Sequence, residues 1–167
     1  IALFWGPDLI AIYNDAYRPV FGSKHPWALG RPARECWSEL WSAIEPLFDA
    51  VVRAGEAYCA KDHPFYLERH GFPEETYFDV SYDPVRDESG GVGGLFCIAS
   101  ETTGRVLGER RLRTLRELGV NLTGGHDAEI CSQAAAILAQ NPPDLPFVLF
   151  YLFDDARHSA RLAASAG

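Results

Sequence analysis

The stretch from Glu74 to Thr103, EETYFDVSYDPVRDESGGVGGLFCIASETT, limits the fold more than any other part of the chain. It reads as two long strands joined by a tight turn. Over 76–85, Phe78, Val80 and Tyr82 fall on one face and Asp79, Ser81 and Asp83 on the other. That period of two marks a half-buried strand. Residues 87–91, Asp-Glu-Ser-Gly-Gly, supply local hydrogen bonds and positive φ, which is turn chemistry. Residues 92–100 are apolar again, and the sequence predicts protection on both of their faces. A turn this short forces antiparallel pairing.

The preceding residues supply the remaining elements. Leu3-Phe4-Trp5, then Gly6-Pro7-Asp8, then 9–13 reads as strand, turn, strand. Asn14-Asp15 is placed to cap a short helix over 16–21. Residues 33–37 form one helical turn. Ser38 is a plausible cap for a longer helix over 39–54, which Gly55 ends. Leu40, Ile44, Leu47, Phe48, Val51 and Val52 share one face of it. Two short strands are expected over 56–60 and 64–69, with a turn at His70-Gly71-Phe72-Pro73. The sum is an α+β fold, a five-stranded antiparallel sheet with helices on one face. A cavity between the helix and the sheet is the natural place for a ligand.

Downstream the composition changes. Arg105, Arg110, Arg111, Arg113 and Arg116 alternate with Leu107, Leu112, Leu115, Leu118 and Leu122. This predicts a helix over 105–122, either a linker in a two-stranded coiled coil or an ordinary amphipathic helix on its own domain. Thr123-Gly124-Gly125 stops it. Asp127 is placed to cap a second helix over 128–140, broken at Asn141-Pro142-Pro143-Asp144. Residues 147–153 are an apolar strand, Asp154-Asp155 a turn, and 160–164 a returning strand. One helix and a strand pair cannot bury FVLFYLF, so this tail reads as the opening of a second domain.

At 47% hydrophobic and 13% aromatic, the chain can bury a real core. The net charge of −8 predicts no nucleic-acid partner, because phosphate binding needs concentrated positive charge. No apolar run is long enough to cross a bilayer, so no membrane partner is expected. Cys36, Cys59, Cys97 and Cys131 form no CxxC pair and read as free, mostly buried thiols in a reducing, cytoplasmic compartment. The absence of methionine and the strand-like opening Ile1-Ala2-Leu3-Phe4-Trp5 predict a piece of a longer protein.

The first hundred residues resemble a PAS domain. The likeness rests on YNDAY at 13–17, LGRPARECW at 29–37, DPVRDESGGVGG at 83–94 and the exit SETTGRV at 100–106. Where PAS domains carry an Asp-Ile-Thr type triplet, this chain has Glu101-Thr102-Thr103. The tail from Asp127 resembles the start of a GAF domain over a short piece. The resemblance implies a PAS-like domain over 1–103, a helical linker over 104–125 and a truncated GAF-like start over 126–167. It also implies the input half of a bacterial two-component sensor, typically a histidine kinase.

Flavin-type PAS domains carry a reactive Cys shortly after a Gly-Arg pair. Here Gly30-Arg31 is followed by Pro32-Ala33, and Cys36 is displaced by three residues. Haem-binding PAS domains often use a His of the longer helix, and 39–54 contains none. His25, His63 and His70 read as solvated residues of loops and strand edges. Neither cofactor is supported, and the ligand is unknown. Trp37, Trp41, Tyr58, Phe78 and Tyr82 are candidates to line a cavity, with Tyr13 and Arg69 as polar contacts. The bland alternative is that the rings fill the core and that Arg69 is an exposed strand residue. There is no GxSxG, P-loop, HExxH or phospho-acceptor His motif, so the chain is not expected to be an enzyme. Two functions stand side by side: a sensory module, homodimeric and open to a small molecule, that signals through Glu101, Thr102 and Thr103; and a ligand-free dimerisation scaffold.

Overall fold

The structure, a computed structural model, describes every residue except Thr123, Asp155 and Arg157. The helix stop expected at Thr123 and the turn expected at Asp155 therefore lie outside the described residues. The chain divides into two compact units, Ile1–Val106 and Leu107–Gly167.

The first unit is built on five strands, β1 (Ala2–Trp5), β2 (Ile10–Tyr13), β3 (Tyr58–Leu67), β4 (Glu74–Arg86) and β5 (Val92–Glu101). They form one antiparallel sheet in the order β2-β1-β5-β4-β3. The alternation along β4 places Thr76, Phe78, Val80 and Tyr82 inside. Asp87 closes the hairpin: its N–H donates to the Gly91 carbonyl, and its carboxylate accepts from the Ser89 and Gly91 N–H groups. Gly90 takes the positive φ of 85° that the turn requires.

Three helices cover one face, α1 (Arg18–Phe21), α2 (Ala33–Cys36) and α3 (Trp41–Ala54). The 3.6-residue spacing of α3 buries Ile44, Phe48 and Val51 against the sheet. Gly55 ends α3 in the left-handed region at φ 65°. The ring of Phe48 lies 5.1 Å from that of Phe4 and 5.0 Å from that of Tyr82, which ties the helix to the centre of the sheet.

Several expectations are corrected. The two short strands are one, β3, because a bulge between Ala60 and His63 absorbs the break. Asp62 sits there at φ 49°, and its N–H donates to Asp79 Oδ1 at 2.9 Å. His63 lies in β3, an edge strand of the sheet, where the ladder resumes after the bulge. Both faces of β5 are protected only near its start: Leu95 and Cys97 are buried on one face, while on the other Gly94 is buried, Phe96 half-buried and Ile98 exposed. Val52 is likewise exposed at the edge of the α3 stripe. Ser38 does not cap α3, which starts three residues later; the intervening segment is turn, and Glu39 is drawn into an ion pair with Lys24. Asn14 makes no cap bond either, and its side-chain oxygen accepts from the Ile1 amino group. Of the four free thiols, Cys36 and Cys97 are buried and Cys59 is exposed.

The helix α4 (Thr103–Asn121) leaves β5 and continues into the second unit, which also contains α5 (Asp127–Leu138) and the antiparallel hairpin of β6 (Val148–Phe153) and β7 (Ala160–Ala166). Asp127 is the first residue of α5 rather than its cap; His126 precedes it and donates its N–H to Glu129 Oε2. Within this unit Asp144 accepts two bonds from Arg110, at 2.9 and 2.7 Å, and Asn141 donates to Thr114 and to Asp144. Arg110 holds the Asp144 carboxyl down at about 2 against the opposing effect of burial. Along β6, Leu149, Tyr151 and Phe153 face outward and are exposed. Among the described residues no helix is long and apolar enough to cross a membrane.

Candidate functional site

Two features of the first unit qualify as a site: the space between α3 and the sheet, and the junction where β5 becomes α4.

The space is small. Phe4, Tyr17, Trp37, Phe48, Phe78 and Tyr82 are among the side chains around a cavity of about 30 Å³. That is room for a water or two, whereas ligand pockets run to roughly 300 Å³ and more. The aromatic rings account for the filling. Trp37 stacks on Phe21 with centroids 4.5 Å apart, and Tyr82 stacks on Tyr58 at 6.0 Å. Burial pushes the Tyr82 and Tyr17 phenols well up, so both stay neutral. It also raises the Cys36 thiol to about 11, so that thiol stays protonated at neutral pH.

The seven residues singled out as ligand contacts separate into two groups. Trp37, Phe78 and Tyr82 line the cavity. Trp41 packs edge-on against Phe48 behind it, and Tyr58 lies against the outer side of Tyr82. Tyr13 bonds His25 Nδ1 through its hydroxyl at 3.0 Å. Arg69 lies just beyond β3 and turns away from the cavity to meet carboxylates. It is neither an exposed strand residue nor a cavity residue.

The junction is built around that arginine. Arg69 Nε donates to Glu74 Oε2 at 3.1 Å, and its two terminal nitrogens donate to the two oxygens of Glu101 at 2.8 and 2.9 Å. The Arg69 side chain is only 12% exposed. His70 Nδ1 lies 2.6 Å from the other oxygen of Glu74. Gly22 fixes the arginine's backbone from the far side, because a Cβ there would stand 2.3 Å from the Arg69 carbonyl oxygen. Glu101 Oε1 also accepts from the Thr103 hydroxyl at 2.9 Å. Thr103 Oγ1 in turn accepts the Tyr77 N–H, and the Thr102 N–H donates to the Tyr77 carbonyl. A second arm starts at the β3 bulge, where the Thr102 hydroxyl donates to Asp62 Oδ1 at 2.7 Å and Arg105 pairs with the same carboxylate. The Val106 N–H donates to the Thr102 carbonyl and opens α4. Both threonine hydroxyls are thus turned to the sheet.

Arg69 holds the Glu101 carboxyl below its usual 4.5, and Thr103 adds to the effect. At Glu74 burial favours the neutral form, but the bonds from His70 and Arg69 outweigh it and lower that group too. A lowered carboxyl stabilises the fold above its unfolded value and loses that contribution as pH falls through its folded value. The junction should therefore hold from neutral pH down to about 4.5 and loosen below it. Thermal unfolding followed from pH 7 to pH 3 checks this. The fall in melting temperature below about pH 4.5 should be shallower in Glu101→Gln than in the wild type; equal slopes would remove Glu101 from the account.

No protein-family model matches the chain. Among solved structures, an RNA-binding Light-Oxygen-Voltage receptor aligns with a TM-score of 0.50 and 20% identity over 71% of this chain and 33% of its own. The fold is PAS-like. The α+β sheet expected from the sequence is the one found, and the match spans only a third of that receptor's length. VqmA bound to DPO aligns with a TM-score of 0.46 and 14% identity over 87% of this chain and 74% of its own. A sensory box sensor histidine kinase from Vibrio cholerae gives 0.43 and 14% over 59% and 76%. These two scores are too low to bear on the argument.

The first of these likenesses overturns one expectation. Net charge does not exclude nucleic acid for a PAS-like chain, since a receptor with this fold binds RNA. A whole-chain total is a poor guide because it averages over segments: the −8 includes the five arginines of 105–116.

Proposed function

We propose that residues 1–103 are a sensory input domain of PAS type, that 104–125 link it to the downstream part of the chain, and that 126–167 open a GAF-like domain. The chain then belongs to a larger bacterial signalling protein, with a histidine kinase as the leading output, and carries no catalysis of its own. In this reading a ligand or partner alters the packing between the sheet and its covering helices and biases the rotation or register of α4. Trp37, Phe78 and Tyr82 face the ligand, Tyr58 backs Tyr82 and Trp41 backs Phe48, while Tyr13 and Arg69 act through their own partners, His25 and the Glu74–Glu101 pair. The observation that carries the proposal is the unbroken run of bonds from Glu74 through Arg69 and Glu101 to Thr103, joined by the arm from Asp79 through Asp62 to Thr102. The side chains of Thr102, Thr103 and Arg105 at the start of α4 are thereby tied to the sheet.

The test is Glu101→Ala and Thr103→Ala in the full-length protein, with output activity and thermal stability measured together. Glu101→Ala should cost about 2 kcal/mol and Thr103→Ala about 1 kcal/mol, both below a domain's total stability, so the fold survives. Output or its response to signal should change in both. Wild-type output with a wild-type response in both variants would end the coupling claim.

The cavity size favours a second reading, a ligand-free dimerisation scaffold, because about 30 Å³ admits no ordinary metabolite. A ligand selective for the folded state stabilises it by about 2.7 kcal/mol at a hundred times its Kd. A screen in which no small molecule raises the melting temperature supports the scaffold.

A further inference from the structure

A second space lies in the first unit, at the end of the sheet, lined by residues of the β1–β2 turn, the β4–β5 hairpin and α3. It is a groove of about 450 Å³, within the range of small-molecule sites, and it shares no lining residue with the interior cavity. Its aromatic side chain is Trp5, and two glycines of β5 seat the ring. A Cβ at Gly93 would stand 3.0 Å from the indole Cη2, and one at Gly94 2.8 Å from Cε3, so the indole lies where neither position has room for a side chain. Asp87 borders the same spot, its Cβ 2.9 Å from the Gly93 position. Trp5 nonetheless stays 39% exposed. Leu9 and Val52 add apolar wall. Leu9 does so from the left-handed region, at φ 51°, a strained conformation for a bulky residue and of the kind that gathers at ligand sites.

The charges of the groove have one sign. Among the described residues its lining holds two carboxylates, Asp49 and Asp87, and no base. Asp87 Oδ1 accepts from the Ser89 hydroxyl and from the Ser89 and Gly91 N–H groups, which hold the carboxyl below its usual range and keep it ionised at neutral pH. Arg53 donates to Asp49 at 2.8 Å, but that pair is mostly exposed and a surface pair one helical turn apart is worth little, so an entering cation displaces it readily. Arg86, the neighbour of Asp87, donates instead to the Gly90 carbonyl at 2.8 Å. Indole surface beside a carboxylate attracts a cation, and apolar walls take up the hydrocarbon attached to it. We propose that this groove binds a small organic cation, an ammonium carrying an apolar body, with the charge held by Trp5 and Asp87 and the body against Leu9 and Val52. Charge complementarity selects the occupant: an anion of the same shape is repelled by both carboxylates. The groove and the interior cavity share no residue, so each is filled or empty on its own account.

Phenethylammonium is the probe, titrated into the 167-residue chain and followed by heteronuclear NMR, with the dispersion of the amide signals as the control for folding. The Trp5 indole N–H and the Gly93 and Gly94 amides should shift together and saturate, with a Kd below about 1 mM. Phenylacetate, a similar ring with the opposite charge, should leave them unmoved. Asp87→Asn keeps the oxygen that the turn needs and removes the charge. It and Trp5→Leu should each weaken binding by about three- to fivefold, and the two together by about tenfold or more. Shifts that do not saturate, equal shifts from phenylacetate, or wild-type affinity in Asp87→Asn overturn the proposal. Tighter binding of N-acetyl-lysine N-methylamide than of phenethylammonium also overturns it, because the groove would then be made for a side chain of a protein partner.

Discussion

Replacing Phe48 with alanine should cost the first unit about 3–5 kcal/mol, the range for a large ring removed from a packed core. Phe48 is 2% exposed and touches three aromatic partners, Phe4, Trp41 and Tyr82. Its loss detaches α3 from the middle of the sheet and enlarges the cavity it now fills. For a unit of about a hundred residues the melting temperature should fall by roughly 15–30 °C. Denaturant unfolding at 25 °C checks the figure. A loss under about 1 kcal/mol would mean that the ring's neighbours collapse into the gap and that the core is less closely packed than described.

The second large effect belongs to Arg69. Arg69→Ala leaves Glu74 and Glu101 facing one another without a cation, each partly out of water. Breaking a buried pair from one side costs more than the pair contributes, because the remaining charge is stranded. With Glu101 still 34% exposed, about 2 kcal/mol is expected. Arg69→Lys should recover less than half of that, since an ammonium cannot make the two parallel bonds to Glu101. Chemical denaturation of both variants measures this. Full recovery by lysine would show that charge alone, and not the paired geometry, holds the junction.

The parts of the fold governed by local pattern were legible in the sequence. The alternation of Phe78, Val80 and Tyr82 and the Asp87 turn fixed the central hairpin, and the spacing of Ile44, Phe48 and Val51 fixed the covering helix. What was not legible depends on distant partners. Nothing near Arg69 in sequence announces Glu101, 32 residues away. The β3 break read as two strands because a single left-handed residue, Asp62, lets the ladder resume past it, and aspartate tolerates that conformation with little warning in the pattern. Trp37, Trp41, Tyr58, Phe78 and Tyr82 read as candidates to line a cavity, but ring count does not reveal how much space the rings leave. The stacking of Phe21 on Trp37 and of Tyr58 on Tyr82 decides that, and both pairs form across the chain.

The central claim is that the sheet governs the start of α4 through Glu101. Hydrogen–deuterium exchange, residue by residue, in the wild type and in Glu101→Gln tests it most directly. The substitution keeps the shape of the side chain and removes its charge. Faster exchange is expected at Thr102, whose amide ties the junction to Tyr77, and at Val106, whose amide opens the helix, with protection across Val80 and Tyr82 in β4 unchanged. Unaltered exchange at those two amides, or a uniform rise across the whole sheet, would contradict it.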